Sequence, residues 1–520
     1  MLLPFRLHLS EFNGLLTCFF VGLGVRLIPE LLAFPHPVGF DTVYYASVLK
    51  GGVVWPHWSS FFTSSWLFPA FSVLLHRVFG GDPFMLLKFL APFLFGLNVA
   101  GIYWFSRKML CWDARLSLLA GLFFAVQLAS LRISWDLLRN TLGMGLLLFT
   151  LPFVKRVNSK FGFTSFVLLS LLTIFAHEYA AATLSIIVFG LFFGHLIKRR
   201  MGVDDKHLLL GFSLALAVFL VGAYLRIFPI RFDAETNVLN AGDAINPRPF
   251  GLFFLTDYLR VKTTVDYYSG YWSLAFSVVI LFCFLYLPYL FLVWKGFFTH
   301  EVLSTWTGLL LVGAFGCLIV PFCALEYWHR WMFMLVYPFT FYAVSGLKRV
   351  VGSLNGRGFG FSFRLLHGKV KSMLILTALL GAVYLATPTL MGTVNVGIFA
   401  LNPINKFFSF APTVPYGDVD NVVMAMEWLN QYMEANSCVI LHEAFLWWGK
   451  LYLDDSKIII FFMNDIDSAV NIALSYGFNK VYFVWWNAPL GWYDITVPKS
   501  FNGLRDFGRI TVFSCEVEKV

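Results

Sequence analysis

The sequence predicts a polytopic α-helical membrane protein of about eleven transmembrane helices, followed by a C-terminal extracytoplasmic α/β domain. Three observations carry this expectation. Of 520 residues, 59% are hydrophobic and only 13% are charged, whereas a soluble globule carries about 25% charged residues. The apolar residues gather into runs of the roughly 20 residues that cross a bilayer core. After residue 390 the pattern changes to short apolar runs separated by amphipathic segments, which reads as a small α/β fold.

The expected spans are 14–34, 84–106, 116–134, 138–154, 161–177, 179–197, 207–229, 270–294, 303–323, 331–347 and 372–390. The first run lacks a small-residue cleavage site and is followed by many like it, so it reads as a retained span. The piece WLFPAFSVLLHRVF, 66–79, is short and carries His76 and Arg77. It reads as an interfacial or re-entrant helix.

Charge orients the chain, because short cytoplasmic loops are rich in Lys and Arg. With the N-terminus inside, the inner segments hold Arg6, Arg107, Lys108, Arg115, Lys155, Arg156, Lys160, Lys198, Arg199, Arg200, Lys206, Lys295 and the block Lys348 to Lys371. The short outer turns hold almost none. The expected organisation is therefore a transmembrane domain over 1–392, with outer loops at 35–83 and 230–269, and an extracytoplasmic domain over 393–520. The N-terminus lies in the cytoplasm of a multi-pass protein of the cell membrane. The net charge of +9 is mostly this inner belt, so no nucleic-acid partner is needed to explain it.

Seven cysteines are scattered without a CxxC pair, which indicates neither a zinc site nor a disulfide framework. Cys18, Cys283, Cys317 and Cys323 read as small core residues. Cys438 and Cys515 lie in the tail, where they pair if both face outside and otherwise stay as two free buried thiols, the reading preferred. The Gly-rich piece GSLNGRGFGFS, 352–362, follows no strand and opens no helix, so it does not read as a nucleotide loop.

Within this orientation the polar residues collect at one membrane surface. Asp41 follows the first span. Trp135-Asp136 and Arg139-Asn140 mark the outer end of the fourth span, with Asp136 and Arg139 spaced to pair at i and i+3. His177-Glu178 forms the tight turn AHEYAA, and Glu326, His329 and Arg330 lie in LEYWHRW. An idle charge near a bilayer edge is costly, and no acid is expected in the interior. Carboxylates there can hold a divalent metal or act as a general base. An arginine beside an imidazole suits a phosphate. Acids with a phosphate clamp at a membrane surface fit sugar transfer from a polyprenyl phosphate.

The order and sidedness of PVGFDTVYY, LFPAFSVLLHRVFGGDPF and SWDLLRN resemble the GT-C superfamily of integral membrane glycosyltransferases over about the first 350 residues. The resemblance implies a polyprenyl-phosphate sugar donor, a lipid, glycan or protein acceptor, and Asp41 as the catalytic base or metal-proximal acid. It matches Asp136 to the family's second acid, and Glu178, an acid at the same membrane surface, joins them in the catalytic set. The three together are the implied ligands of a divalent cation, Mg or Mn, although several members of the superfamily work without metal. Arg330, with His329, is the implied phosphate clamp. Glu326, Arg139 and His177 join the substrate-binding set, and Arg231, Asp233, Glu235, Arg248 and Asp257 of the second outer loop close over the donor. The archaeal oligosaccharyltransferase catalytic subunit is the nearest comparison within the superfamily, but its WWDYG motif is absent. FLWWGKLYL, 445–453, places Gly449 and Lys450 where Asp and Tyr would stand. A transporter and a lipid-linked oligosaccharide ligase or polymerase are the rival readings, and a non-enzymatic membrane anchor is a third. A transporter would place ionisable residues near the bilayer midplane.

Overall fold

A computed structural model describes residues 9–227 except 56, 57, 59 and 64, together with 238–240, 259–260, 264–319, 324–325, 328–352, 368–390, 413–462, 465–487 and 495–516. The protein is mostly helical, with a small C-terminal sheet. Among the described residues five helices are long and apolar enough to cross a membrane: Glu11–Leu32, Pro83–Lys108, Glu178–Ile197, Val203–Gly222 and Gly368–Leu385. Two bent pairs raise the number to seven.

Those bends correct two of the expected spans. Segment 116–134 is not one straight helix. It breaks between Ala114–Ala125 and Leu128–Asp136 with a 63° bend, and Gln127 turns its side chain across to the Thr340 hydroxyl at 2.7 Å. Segment 270–294 breaks between Ala275–Tyr286 and Leu290–Gly296 with a 78° bend. Two further expected spans are interrupted. The 138–154 segment is an α-helix only over Leu138–Thr150 and tightens into a 3-10 helix over Leu151–Arg156, while 331–347 is divided at Leu335 into Trp328–Met334 and Val336–Gly352. Hydropathy averages over a window and cannot see a break whose flanks are equally apolar.

Close backbone approach holds parts of the bundle together. Gly296 and Gly346 face each other, and a Cβ on either would overlap a carbonyl of the other helix, Tyr342 O or Leu292 O. In lipid such small-residue contacts supply the dispersion and hydrogen-bond energy that hydrophobic burial supplies in water. Buried ion pairs also brace the helix ends. Arg26 Nη1 lies 2.9 Å from Glu30 Oε1, and Lys88 Nζ lies 3.2 Å from Glu30 Oε2. Glu11 bridges Arg107 at 2.6 Å and Lys108 at 2.8 Å. Each charge is tolerable there because it has a partner.

Strands β1 Val238–Asn240, β4 Ser437–His442, β5 Ile458–Phe462, β6 Lys480–Trp486, β7 Asn502–Phe507 and β8 Ile510–Glu516 form a six-stranded sheet in the order β1-β5-β4-β6-β8-β7, while β2 Leu259–Arg260 and β3 Ala324–Leu325 pair apart from it. Strands β5, β4 and β6 are parallel and β8 and β7 antiparallel. Helices Val419–Tyr432, Glu443–Tyr452 and Ile466–Ser475 accompany them, so the short apolar runs are the buried parallel strands. Cys438 and Cys515 are both free. Each pairs with Val481 of β6 from opposite sides, which separates them by about two strand spacings, roughly 9.6 Å, beyond the reach of a disulfide. Cys438 is fully buried, whereas Cys515 is only partly so.

The edge strand β1, Val238–Asn240, comes from the second long loop and pairs in parallel with β5. The first long loop also meets this domain. Helix Thr42–Gly51 lies against helix Glu443–Tyr452, with Tyr44 edge-on to Trp447 at 4.8 Å and Lys50 Nζ donating to Leu451 O. The loop 35–83, a strand of 230–269 and the C-terminal domain therefore pack together.

Candidate active site

The site grows from two chain breaks. Helix Leu128–Asp136 stops at Leu137, whose φ of −85° and ψ of 54° lie outside the helical region, and Leu138–Thr150 starts immediately after it. This break corrects the expected pairing of Asp136 with Arg139, because the i, i+3 geometry needs a continuous helix. Asp136 instead pairs back along its own helix, with Arg132 Nη1 at 2.5 Å from Oδ1. Its other oxygen, Oδ2, accepts the Phe40 N–H at 3.2 Å. That second bond ties the loop before Asp41 to the end of the helix.

Gly39 makes the tie feasible. Its φ of +87° is a conformation L side chains rarely adopt, and a Cβ there would stand 2.7 Å from the Asp136 Cβ. We expect Gly39→Ala to cost about 1–3 kcal/mol from backbone strain alone and to push Asp41 off its position. Thermal unfolding of the purified variant checks this, and an unchanged midpoint refutes it.

Asp41 immediately precedes helix Thr42–Gly51 and does not cap it with its side chain. Among the described residues no group donates a hydrogen bond to its carboxylate or pairs with it within 4.0 Å. Burial and the Asp136 carboxylate raise it to about pKa 6, against the opposing fields of Arg330, Arg139 and Arg132. The same arginines gather the other candidates. Arg139 reaches the Tyr45 hydroxyl and shares its field with Glu178 and Tyr44, and Arg139 and Arg330 both act on His177. The Arg139 Nε and Asn140 Oδ1 atoms are buried without a hydrogen-bond partner among the described residues.

His177 has a defined structural job. It ends helix Lys160–Ala176 in extended backbone, and its Nδ1 accepts the Tyr179 N–H at 3.1 Å, capping Glu178–Ile197. A neutral ring so placed carries its proton on Nε2, which lies 3.6 Å from Glu178 Oε2. Asp41, Asp136, Arg139, His177, Glu178 and Arg330 thus surround one region. His329 lies edge-on to Trp328 at 5.9 Å and Phe333 at 6.1 Å. Glu326 lies outside the described residues, as do Arg231, Asp233, Glu235, Arg248 and Asp257 and all but the first residue of the Gly-rich piece 352–362.

Sequence reasoning missed Arg132, Tyr45 and Arg26. The R-x-x-x-D spacing of Arg132 and Asp136 was a readable signal. Nothing local marks Arg26, whose Nε and Nη2 donate to Ser134 O at 3.1 Å and Trp135 O at 3.0 Å from more than a hundred residues away.

Among the described residues no three His, Cys, Asp or Glu side chains are arranged to hold a metal. Both Asp136 oxygens are engaged by Arg132 and the Phe40 N–H, and the surrounding arginines supply the positive charge that a cation would bring. Among the described residues, the arrangement offers the carboxylate of Asp41, without a hydrogen-bond or ion-pair partner, in the field of guanidinium groups. Such a set can accept a proton while a phosphate is held nearby.

No protein-family model matches the sequence, and no curated protein matches it.

Proposed function

We propose that the protein is a glycosyltransferase of the GT-C type, moving a sugar from a polyprenyl-phosphate donor to an acceptor hydroxyl at the outer membrane face. The observation that carries this reading is the carboxylate of Asp41, which has no hydrogen-bond or ion-pair partner among the described residues and lies in the field of Arg330, Arg139 and Arg132. The acceptor oxygen forms a bond to the anomeric carbon, and its proton passes to Asp41. The bond from that carbon to the phosphate oxygen breaks, and the polyprenyl phosphate departs with the electron pair. Arg330 and Arg139 stabilise that phosphate through charge-assisted hydrogen bonds. Asp136 positions Asp41 through the Phe40 N–H, and His177 and Glu178 complete the wall. No step is assigned to a metal.

The proposal keeps eleven spans, with the interrupted helices counted as bent spans, an inner N-terminus and an outer C-terminal domain. The packing of both long loops with that domain supports this sidedness, since the lysine and arginine distribution puts all three on one face. A transporter draws support from the buried charges of Arg26, Glu30 and Lys88. These are paired with one another, however, and two of them brace backbone carbonyls, so they act as structure.

The test is transfer from radiolabelled polyprenyl-phosphate sugars to extracted lipids and glycans, with the purified protein in lipid, across pH. A base must be ionised to work, and Asp41 ionises at about 6. The rate is therefore expected to rise about tenfold per pH unit below that value and to level off above it. A flat profile through this range removes Asp41 as the base. No consumption of any donor removes the glycosyltransferase reading.

A further inference from the structure

Each of the two arginines assigned to the phosphate is followed in the chain by a buried polar side chain whose hydrogen bonds are not made. Asn140 follows Arg139 and is 2% exposed, and Trp331 follows Arg330 and is 6% exposed. Among the described residues the Asn140 Oδ1, the Trp331 Nε1 and the Arg139 Nε have no hydrogen-bond partner. The Asn140 amide nitrogen meets the Met334 sulfur at 4.0 Å, and a thioether is a weak acceptor. Buried polar atoms left in this way are a standing cost to the fold, and each calls for an explanation.

Contacts among three helices bring these atoms together. Helix Leu138–Thr150 meets helix Trp328–Met334 where Asn140 touches Met334. Trp331, three residues before Met334, lies on the same side of that helix. Its ring stands at 90° to the Tyr179 ring with centroids 4.8 Å apart, which adds helix Glu178–Ile197. That helix closes on the first one, since a Cβ on Gly143 would stand 2.8 Å from the His177 Cβ and 3.0 Å from the Ala180 Cβ. Gly143 shares a side with Asn140, and His177 stacks on Tyr179 at 5.2 Å. The amide, the indole and the Tyr179 ring thus meet at one junction beside the arginines.

The chemistry of the junction names its ligand. An amide both accepts and donates, whereas an indole N–H and a guanidinium Nε donate. Such a set fits groups that give and take hydrogen bonds, as sugar hydroxyls do and an acyl chain does not. The negative faces of the aromatic rings suit the C–H edges of a pyranose. A sugar linked to a phosphate lies just beyond the phosphate oxygens, and Asn140 and Trp331 each lie one residue beyond an arginine assigned to that phosphate.

We propose that Asn140 and Trp331 form the subsite that reads the hydroxyls of the donor sugar and so decides which sugar is transferred. This rests on the transfer reading above. The sugar pairs the buried atoms, so a donor that lacks the matching hydroxyl leaves them unpaired in the complex and is rejected.

The test combines thermal unfolding with transfer assays on the purified full-length protein in lipid. Asn140→Leu removes the amide at similar size. Its unfolding midpoint is expected at or above that of the unmodified protein, because the change removes unpaired buried polar atoms. A lower midpoint means that the amide is a structural group and overturns the subsite. Transfer is measured from the labelled polyprenyl-phosphate hexose that is used best and from its monodeoxy analogues. The unmodified protein is expected to reject one analogue by about a hundredfold or more, and Asn140→Leu to narrow that preference to within about tenfold by slowing the preferred hexose. Trp331→Phe, which deletes the N–H and keeps an aromatic ring, should narrow it as well. Equal losses for every donor overturn the subsite and leave the transfer reading standing, as does an altered choice among acceptors with an unaltered choice among donors. No consumption of any donor by the unmodified protein removes the transfer reading, and this inference with it.

Discussion

Asp41→Asn is expected to remove sugar transfer by a factor on the order of 10²–10⁴, the usual contribution of a positioned general base, while the protein stays folded. The amide keeps the size of the side chain but cannot take the acceptor's proton. Folding should not suffer, because no described group donates to this carboxylate. The sign of the stability change follows from its ionisation. The folded carboxyl ionises at about 6 and the unfolded one near 3.8, so the charged form is the less stable one in the folded protein. That penalty is absent below the unfolded value, builds between about 4 and 6, and is complete at neutral pH. With each pKa unit worth about 1.4 kcal/mol, Asn should raise stability at pH 7 by up to about 3 kcal/mol and change little at pH 4. Transfer assays beside thermal melts at both pH values check this. Loss of transfer together with a lower melting point at pH 7 would mean that Asp41 is a structural residue.

Arg26→Met carries the largest expected effect on stability. Arg26 is fully buried. Its Nη1 pairs with Glu30 at 2.9 Å, its other nitrogens donate to Ser134 O and Trp135 O, and its guanidinium lies 5.1 Å from the centre of the Trp135 ring. Methionine fills much of the volume but removes the donors to Ser134 O and Trp135 O and leaves Glu30 with Lys88 as its partner. Breaking a buried pair by removing one member typically costs about 3–5 kcal/mol. Transfer should fall as well, since Trp135 adjoins Asp136, which holds the loop before Asp41. Denaturant titration in detergent micelles measures the first effect, and a midpoint within error of the unmodified protein would refute it.

These two sites were legible to different degrees. Asp41 stood out because a lone acid after a long apolar run has few idle explanations. The same reasoning singles out Asp136, Arg139, His177, Glu178 and Arg330, each as a charge at the edge of an apolar segment, and in the structure these groups act on one another electrostatically. It could not find their pairings. Asp136 takes Arg132 in place of Arg139 because the helix stops at Leu137, and no periodicity marks that stop. Arg26 and Glu30 were counted within an ordinary span, since a window average hides two charges that neutralise each other.

The C-terminal domain divides in the same way. The runs CVILH, KIIIFF and KVYFVWW announced buried strands, and they form β4, β5 and β6. The stretch around LWWG became helix Glu443–Tyr452, whose Trp447 meets Tyr44. Strand β1 arrives from about two hundred residues earlier, a partnership no local pattern encodes.

The sequence by itself determined the apolar, mostly helical character of the chain, the buried strands of the C-terminal sheet, and several of the residues whose charge had to be accounted for. These follow from composition, periodicity and the cost of ionised groups beside lipid, all of which act locally along the chain. Only the tertiary structure decided which charges are spent on one another and which is left over. Hydrogen bonds and ion pairs are satisfied between elements distant in sequence, at a range of a few ångströms, and among the described residues that geometry leaves Asp41 uncommitted while it locks Asp136, Arg26 and Glu30 in place.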